Sequence, residues 1–90
     1  MIRRKSVEGG VAVTFVLDEE GDESVSVVGD FNDWTPGAHT LRRRSNGTRS
    51  VAVTLPAGER VHFRYLASGG RWFDDPEADA HDEEGSLLDL

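Results

Sequence analysis

Val28-Gly29-Asp30-Phe31-Asn32-Asp33-Trp34 is the stretch on which the fold turns. Val25 and Val27 begin a strand that runs into Gly29, a residue free to take backbone angles closed to others. Asp30, Asn32 and Asp33 can bond to nearby backbone and hold a tight turn. Phe31 and Trp34 stand three apart in that turn, so one ring can enter a core while the other faces outward. Pro36 then ends the stretch, because it cannot donate to a strand ladder. A strand end that holds an aromatic on a polar corner suits recognition better than catalysis.

Outward from this turn, the chain reads as short strands between turns. Val11, Val13, Phe15 and Leu17 alternate with Ala12, Thr14 and Val16, the two-residue period of a strand. Residues 18–23 form a polar turn before the strand from Ser24 to Val28. Asn46-Gly47 is a hairpin signal after a short extended piece near His39 to Arg43. Val51, Val53 and Leu55 share one face of the returning strand. Val61, Phe63 and Tyr65 then alternate with His62, Arg64 and Leu66. Arg71-Trp72-Phe73 is extended, Ser86 to Leu90 can close an edge, and no helical period persists. The pattern predicts an all-β fold, an antiparallel β-sandwich of about seven short strands.

Ninety residues make one domain. Within it, residues 1–9 read as an N-terminal arm and residues 74–85 as an acidic loop, mobile over residues 77–84. No cysteine is present, which excludes disulfides and thiolate metal sites. The net charge is −7, and residues 74–90 carry eight acidic and no basic side chains. Such a chain is poorly suited to phosphate backbones, so no nucleic-acid partner is expected. Arg42-Arg43-Arg44 reads as a solvated strand edge. No run reaches membrane-spanning length and no apolar signal segment follows Met1-Ile2-Arg3-Arg4-Lys5, so a cytoplasmic location is expected. His39, His62 and His81 lack metal-ligand spacing, and the acidic residues after Phe73 do not match a calcium loop. No cofactor is expected. Nor is a catalytic carboxylate pair or nucleophile–base pair visible, so the chain does not read as an enzyme.

Gly29-Asp30-Phe31-Asn32-Asp33-Trp34, Leu55-Pro56-Ala57-Gly58, Phe63-Arg64-Tyr65, Gly70-Arg71-Trp72 and Asp75-Pro76 together resemble a known family. It is the carbohydrate-binding module that precedes isoamylases and glycogen branching enzymes. The glycogen-binding domain of the β subunit of AMP-activated protein kinase is similar. The resemblance implies an immunoglobulin-like, early set sandwich that binds an α-1,4-glucan such as glycogen, a maltooligosaccharide or a cyclodextrin. Two modes of action are open to such a module, placing itself on glycogen or acting in trans with a glucan-processing enzyme. The alternative is a regulatory domain of the same fold that binds a protein, since exposed tryptophans also suit a protein hot spot.

The same resemblance assigns carbohydrate-binding residues. Trp34 and Trp72 take the stacking positions, where an indole face packs on the apolar C–H face of a pyranose. Arg64 takes the place of a basic residue that bonds sugar hydroxyls, and alternation points it away from Phe63 and Tyr65. Ser86 offers a hydroxyl in the closing segment. That segment is Glu84-Gly85-Ser86-Leu87-Leu88, where sugar-binding members resemble Leu-Gly-Thr-x-Asn.

Overall fold

The computed structural model describes residues 1–18 and 23–90. Its strands are β1 (Ile2–Val7), β2 (Gly10–Leu17), β3 (Val25–Gly29), β4 (Arg42–Arg43), β5 (Arg49–Leu55), β6 (Arg60–Ala67), β7 (Arg71–Phe73), β8 (Ala80–Asp82) and β9 (Gly85–Asp89). They form two antiparallel sheets, β1-β2-β5-β4 and β3-β6-β9-β8, with β7 also paired to β6. The inner faces close on one core. Val13, Phe15, Val53 and Leu55 from the first sheet meet Val25, Val27, Val61, Phe63, Tyr65 and Leu88 from the second. The architecture is the expected all-β sandwich, with nine short strands among the described residues rather than seven.

Alternation explains why β6 carries the site. Val61, Phe63, Tyr65 and Ala67 are buried, while His62, Arg64 and Leu66 are half-buried on the outer face. Phe15 packs on Phe63 at 5.0 Å and Phe31 at 6.0 Å, and Tyr65 packs on Phe73 at 5.2 Å. One edge of β6 is shared. Residues Arg60 to Phe63 pair with β9 and Tyr65 to Ala67 pair with β7, leaving Arg64 at the break.

The quoted turn is built as the sequence implies, though for a different reason at Gly29. A 3-10 turn (Asp30–Asn32) follows β3, and Asn32 fastens it. The Asn32 carboxamide accepts from Gly29 N at 3.0 Å and donates to Val27 O at 3.0 Å. Gly29 itself is extended, at φ −170°. Close approach, not positive φ, demands glycine: an added Cβ would lie 2.4 Å from His62 O. The free edge of β3 is paired by the next segment, with Val27 N bonded to His39 O and Leu41 N to Val25 O. The Asn46-Gly47 hairpin is present between β4 and β5, with Gly47 at φ +85°.

Two stretches differ from their sequence reading. The first nine residues hold a strand, β1, because Ile2 alone packs inward and an edge strand tolerates polar neighbours. The acid-rich stretch after Phe73 is not uniformly a loop: it contains β8, and its Asp75 is buried. Carboxylates there find bases far away in sequence, as Asp79 does with Arg4 at 2.8 Å. Arg4, with a hydrogen bond from Asp89 N helping, holds the Asp79 carboxyl below its usual range. The polar turn at residues 18–23 lies mostly outside the described residues.

Candidate functional site

The outer face of β6 orders the site. Trp72 pairs with Leu66 across β6 and β7, so both point outward. Phe73 beside it turns inward to pack on Tyr65, leaving Trp72 47% exposed. Arg71 stacks its guanidinium 4.6 Å from the Phe73 ring centre.

Trp34 is fixed at the other end of this face. Asp33 and Trp34 both take left-handed backbone angles, φ 53° and 55°, uncommon for residues with side chains. The indole Nε1–H donates to Asp30 Oδ1 at 3.1 Å, and Asp30 Oδ2 accepts from His62 N at 2.8 Å. One carboxylate therefore ties the half-buried indole to β6. His62 and Leu66 are four residues apart, so the anchors of the two indoles are separated by about 13 Å of strand.

Between them lies Arg64. It donates to Glu83 O at 3.2 Å and pairs its Nε with Asp74 Oδ1 at 3.4 Å. That Nε is buried and makes no hydrogen bond among the described residues, since the Asp74 contact lacks hydrogen-bond alignment. Gly85 makes room for this pose: an added Cβ would lie 2.7 Å from Arg64 Cγ and Nε.

His62 occupies the same face, ringed by carboxylates. Its Nε2 lies 2.9 Å from Asp82 Oδ2 and 3.6 Å from Glu84 Oε2, and its Nδ1 lies 3.6 Å from Asp30 Oδ2. The hydrogen bond to Asp82 raises the imidazole pKa against the opposing effect of desolvation, and the nearby negative charges add to the rise. The same bond, with backbone donors at Glu84 and Gly85, lowers the Asp82 carboxyl. Among the described residues, no group of three or more His, Cys, Asp or Glu side chains is arranged to hold a metal ion.

Ser86 stands apart from these residues. Its register opposite Phe63 turns it inward, and it is fully buried. Its hydroxyl accepts from Asp75 N and donates to Asp74 Oδ1, both at 3.1 Å. Asp75 in turn accepts from Tyr65 OH at 2.6 Å and Glu77 N at 2.8 Å. Burial, with the Asp75 bond and charge, pushes the Tyr65 phenol far above its ordinary range. Leu88 fills core space.

The structure thus brings Trp34, Arg64 and Trp72 to one outer face and places Ser86 behind it. It adds Asp30, His62 and Asp74, which sequence reasoning did not single out. The outward register that His62 shares with Arg64 was the available signal. Asp74 gave none, because its partner lies across a strand pairing.

With this geometry in view, relatives sharpen the picture. No family model matches the chain. The 1,4-alpha-glucan branching enzyme GlgB of Rhodopseudomonas palustris (strain BisB5) is 48% identical over 66 residues, covering 72% of this chain and 9% of the enzyme. Its namesake from Deinococcus radiodurans is 38% identical over 71 residues, covering 77% and 10%. That of Salinibacter ruber is 42% identical over 59 residues, covering 62% and 9%. This chain is related to a short segment of glucan branching enzymes. It spans only 9% to 10% of the length of these curated relatives. Among the described residues, no helix is long and apolar enough to cross a membrane.

Proposed function

We propose that the chain is a non-catalytic α-1,4-glucan-binding module of the isoamylase N-terminal type, able to act in trans with a glucan-processing enzyme. The observation that carries this reading is the pairing of an outward Trp72 with a carboxylate-anchored Trp34 on one face, with Arg64 between. An indole held exposed on a rigid strand gives a pyranose an apolar platform at little entropic cost. Arg64, half-exposed on this face, supplies guanidinium donors for hydroxyls at the ring edge. The relatives support a glucan as the ligand class, since the matched segment belongs to enzymes named for acting on 1,4-alpha-glucan.

A protein-binding role for the same face fits less well. Protein hot spots sit in broad apolar patches. Here Met1, Val7 and Trp72 are the large hydrophobics exposed among the described residues. Titration with maltoheptaose or β-cyclodextrin, followed by tryptophan fluorescence, tests the proposal. A saturable change with micromolar to millimolar affinity is expected, because a shallow face desolvates little. A flat titration to saturating sugar would sink it.

A further inference from the structure

A cleft of about 260 Å³ opens beside Trp72, lined in part by Ser26, Gly37, Thr40, Leu66, Gly69 and Gly70. Strand register explains its place. Thr40 bridges to Ser26, Ser26 pairs with Leu66, and Leu66 pairs with Trp72. These four residues form one cross-strand row on the outer face. Thr40 is therefore about 14 Å from Trp72 across the sheet, at the usual strand spacing. The row runs across the sheet, whereas the line from Trp72 towards Trp34 runs along β6.

The chemistry of this row differs from that of a closed core. The Ser26 side chain is only 7% exposed and accepts from Gly37 N at 3.3 Å. Ser26 lines the cleft, and its hydroxyl keeps donor capacity beyond this one bond. Such a hydroxyl can serve a ligand or water oxygen that enters the cleft. Thr40 adds a second hydroxyl, which donates to Gly37 O at 3.4 Å and keeps its lone pairs free to accept. Leu66 supplies an apolar floor. Gly37, Gly69 and Gly70 keep the walls open, for a Cβ added at any of them would meet nothing within 4 Å.

We propose that this cleft is a second sugar subsite, which takes a glucosyl unit two or more positions along the glucan from the one stacked on Trp72. The inference rests on the α-glucan reading above. A pyranose ring offers what the cleft can use: an oxygen for Ser26 O–H, a hydroxyl donor for Thr40 and a C–H face for Leu66. Short sugars reach the Trp72 platform alone, and longer or branched glucans reach both.

The test combines backbone amide NMR with affinity across a series from maltose to maltoheptaose. With maltoheptaose, the amides of Ser26, Thr40, Leu66, Gly69 and Gly70 shift along with those near Trp72; with maltose, only the latter shift. Thr40→Val, an isosteric change at an exposed position, weakens maltoheptaose about fivefold and leaves maltose unchanged, the effect of one lost hydrogen bond. Ser26→Ala does the same if it stays folded, and the NMR titration of the unaltered chain decides the matter if it does not. Shifts confined to the surroundings of Trp34, Arg64 and Trp72 at every length would overturn the subsite and leave the glucan reading standing. An absence of shifts anywhere would overturn both.

Discussion

The sandwich has two outer faces, and they are built differently. On the first sheet, Arg3 lies opposite Thr14, Ala12 opposite Thr54 and Thr14 opposite Ala52. It is a ladder of small side chains with basic residues towards the edge. Lys5, Thr14 and Thr54 make no side-chain bond among the described residues. On the second sheet, His62, Arg64 and Trp34 are each held by carboxylates or carbonyls from other parts of the chain. Both faces satisfy the same strand alternation. Arg44 is held on the first face too, by Ser50 at 2.8 Å, so the difference is one of extent. The second face fixes more of its side chains, and a recognition site needs this because each side chain left mobile must be ordered on binding.

The largest effect expected from breaking this contrast comes from beneath the second face. Asp75 is 1% exposed and accepts from both Tyr65 OH and Glu77 N. Asp75→Ala strands those donors in the interior and should cost about 3 kcal/mol, by urea or guanidinium denaturation. Thr54→Ala on the first face should stay within about 0.5 kcal/mol. Equal costs would show that the second face has no special support.

Binding comes next, and the two tryptophans should part company. Trp72→Ala should weaken maltoheptaose at least about tenfold, with a stability change within about 0.5 kcal/mol. Trp34→Ala should weaken binding similarly but cost roughly 1–2 kcal/mol in stability. Trp34 is half-buried, and its loss leaves Asp30 without the indole donor. Denaturation and sugar titration of both variants check the forecast. A Trp72→Ala protein that fails to fold would make Trp72 a structural residue.

How much of this was legible in the sequence depends on whether the deciding contact is local. The strands from Gly10 to Leu17 and from Arg60 to Ala67 announce themselves by alternation, which each segment carries alone. The same logic separates Trp72 from Phe73. Ser86 and Asp75 were not legible. Their burial depends on Ser86 falling opposite Phe63 and on a phenol ten positions before Asp75, and neither leaves a mark on the acid-rich segment. Composition made residues 74–85 look solvated because it counts charges without their partners. Arg4, Arg64 and His62 supply those partners from other strands. Gly29 shows a milder version, a glycine correctly noticed and needed for a different reason.

Salt separates the faces with a smaller effect. A neutral glucan displaces no counterions, so affinity for glycogen should change less than about twofold between 50 and 200 mM salt. The basic residues of the first face would behave otherwise if they carried the binding. A steep loss of retention on a glycogen column as salt rises would move the site to that face and to Arg42 and Arg44.

The smallest effect is the pH dependence of stability that His62 adds on the second face. His62 has its pKa raised in the folded protein, first by the Asp82 bond and then by the charges of Asp82, Asp30 and Glu84. Folding therefore favours the protonated imidazole. That contribution is complete below the unfolded histidine value of about 6.5 and fades as pH rises through the higher folded value. Asp82 reports the same contact from the acid side. Its pKa is lowered, so its contribution is present above the unfolded carboxylate value of about 3.9 and fades as pH falls through the lower folded one. Full strength is confined to the window between about pH 4 and pH 6.5, and the two descriptions must not be counted twice. Denaturation midpoints measured from pH 5 to pH 9 should fall slightly at the upper end for the unaltered chain and for Thr54→Ala. In His62→Gln that decline should vanish, because glutamine keeps a donor but does not titrate. A decline that survives in His62→Gln would assign it to some other group and remove His62 from the electrostatics of the face.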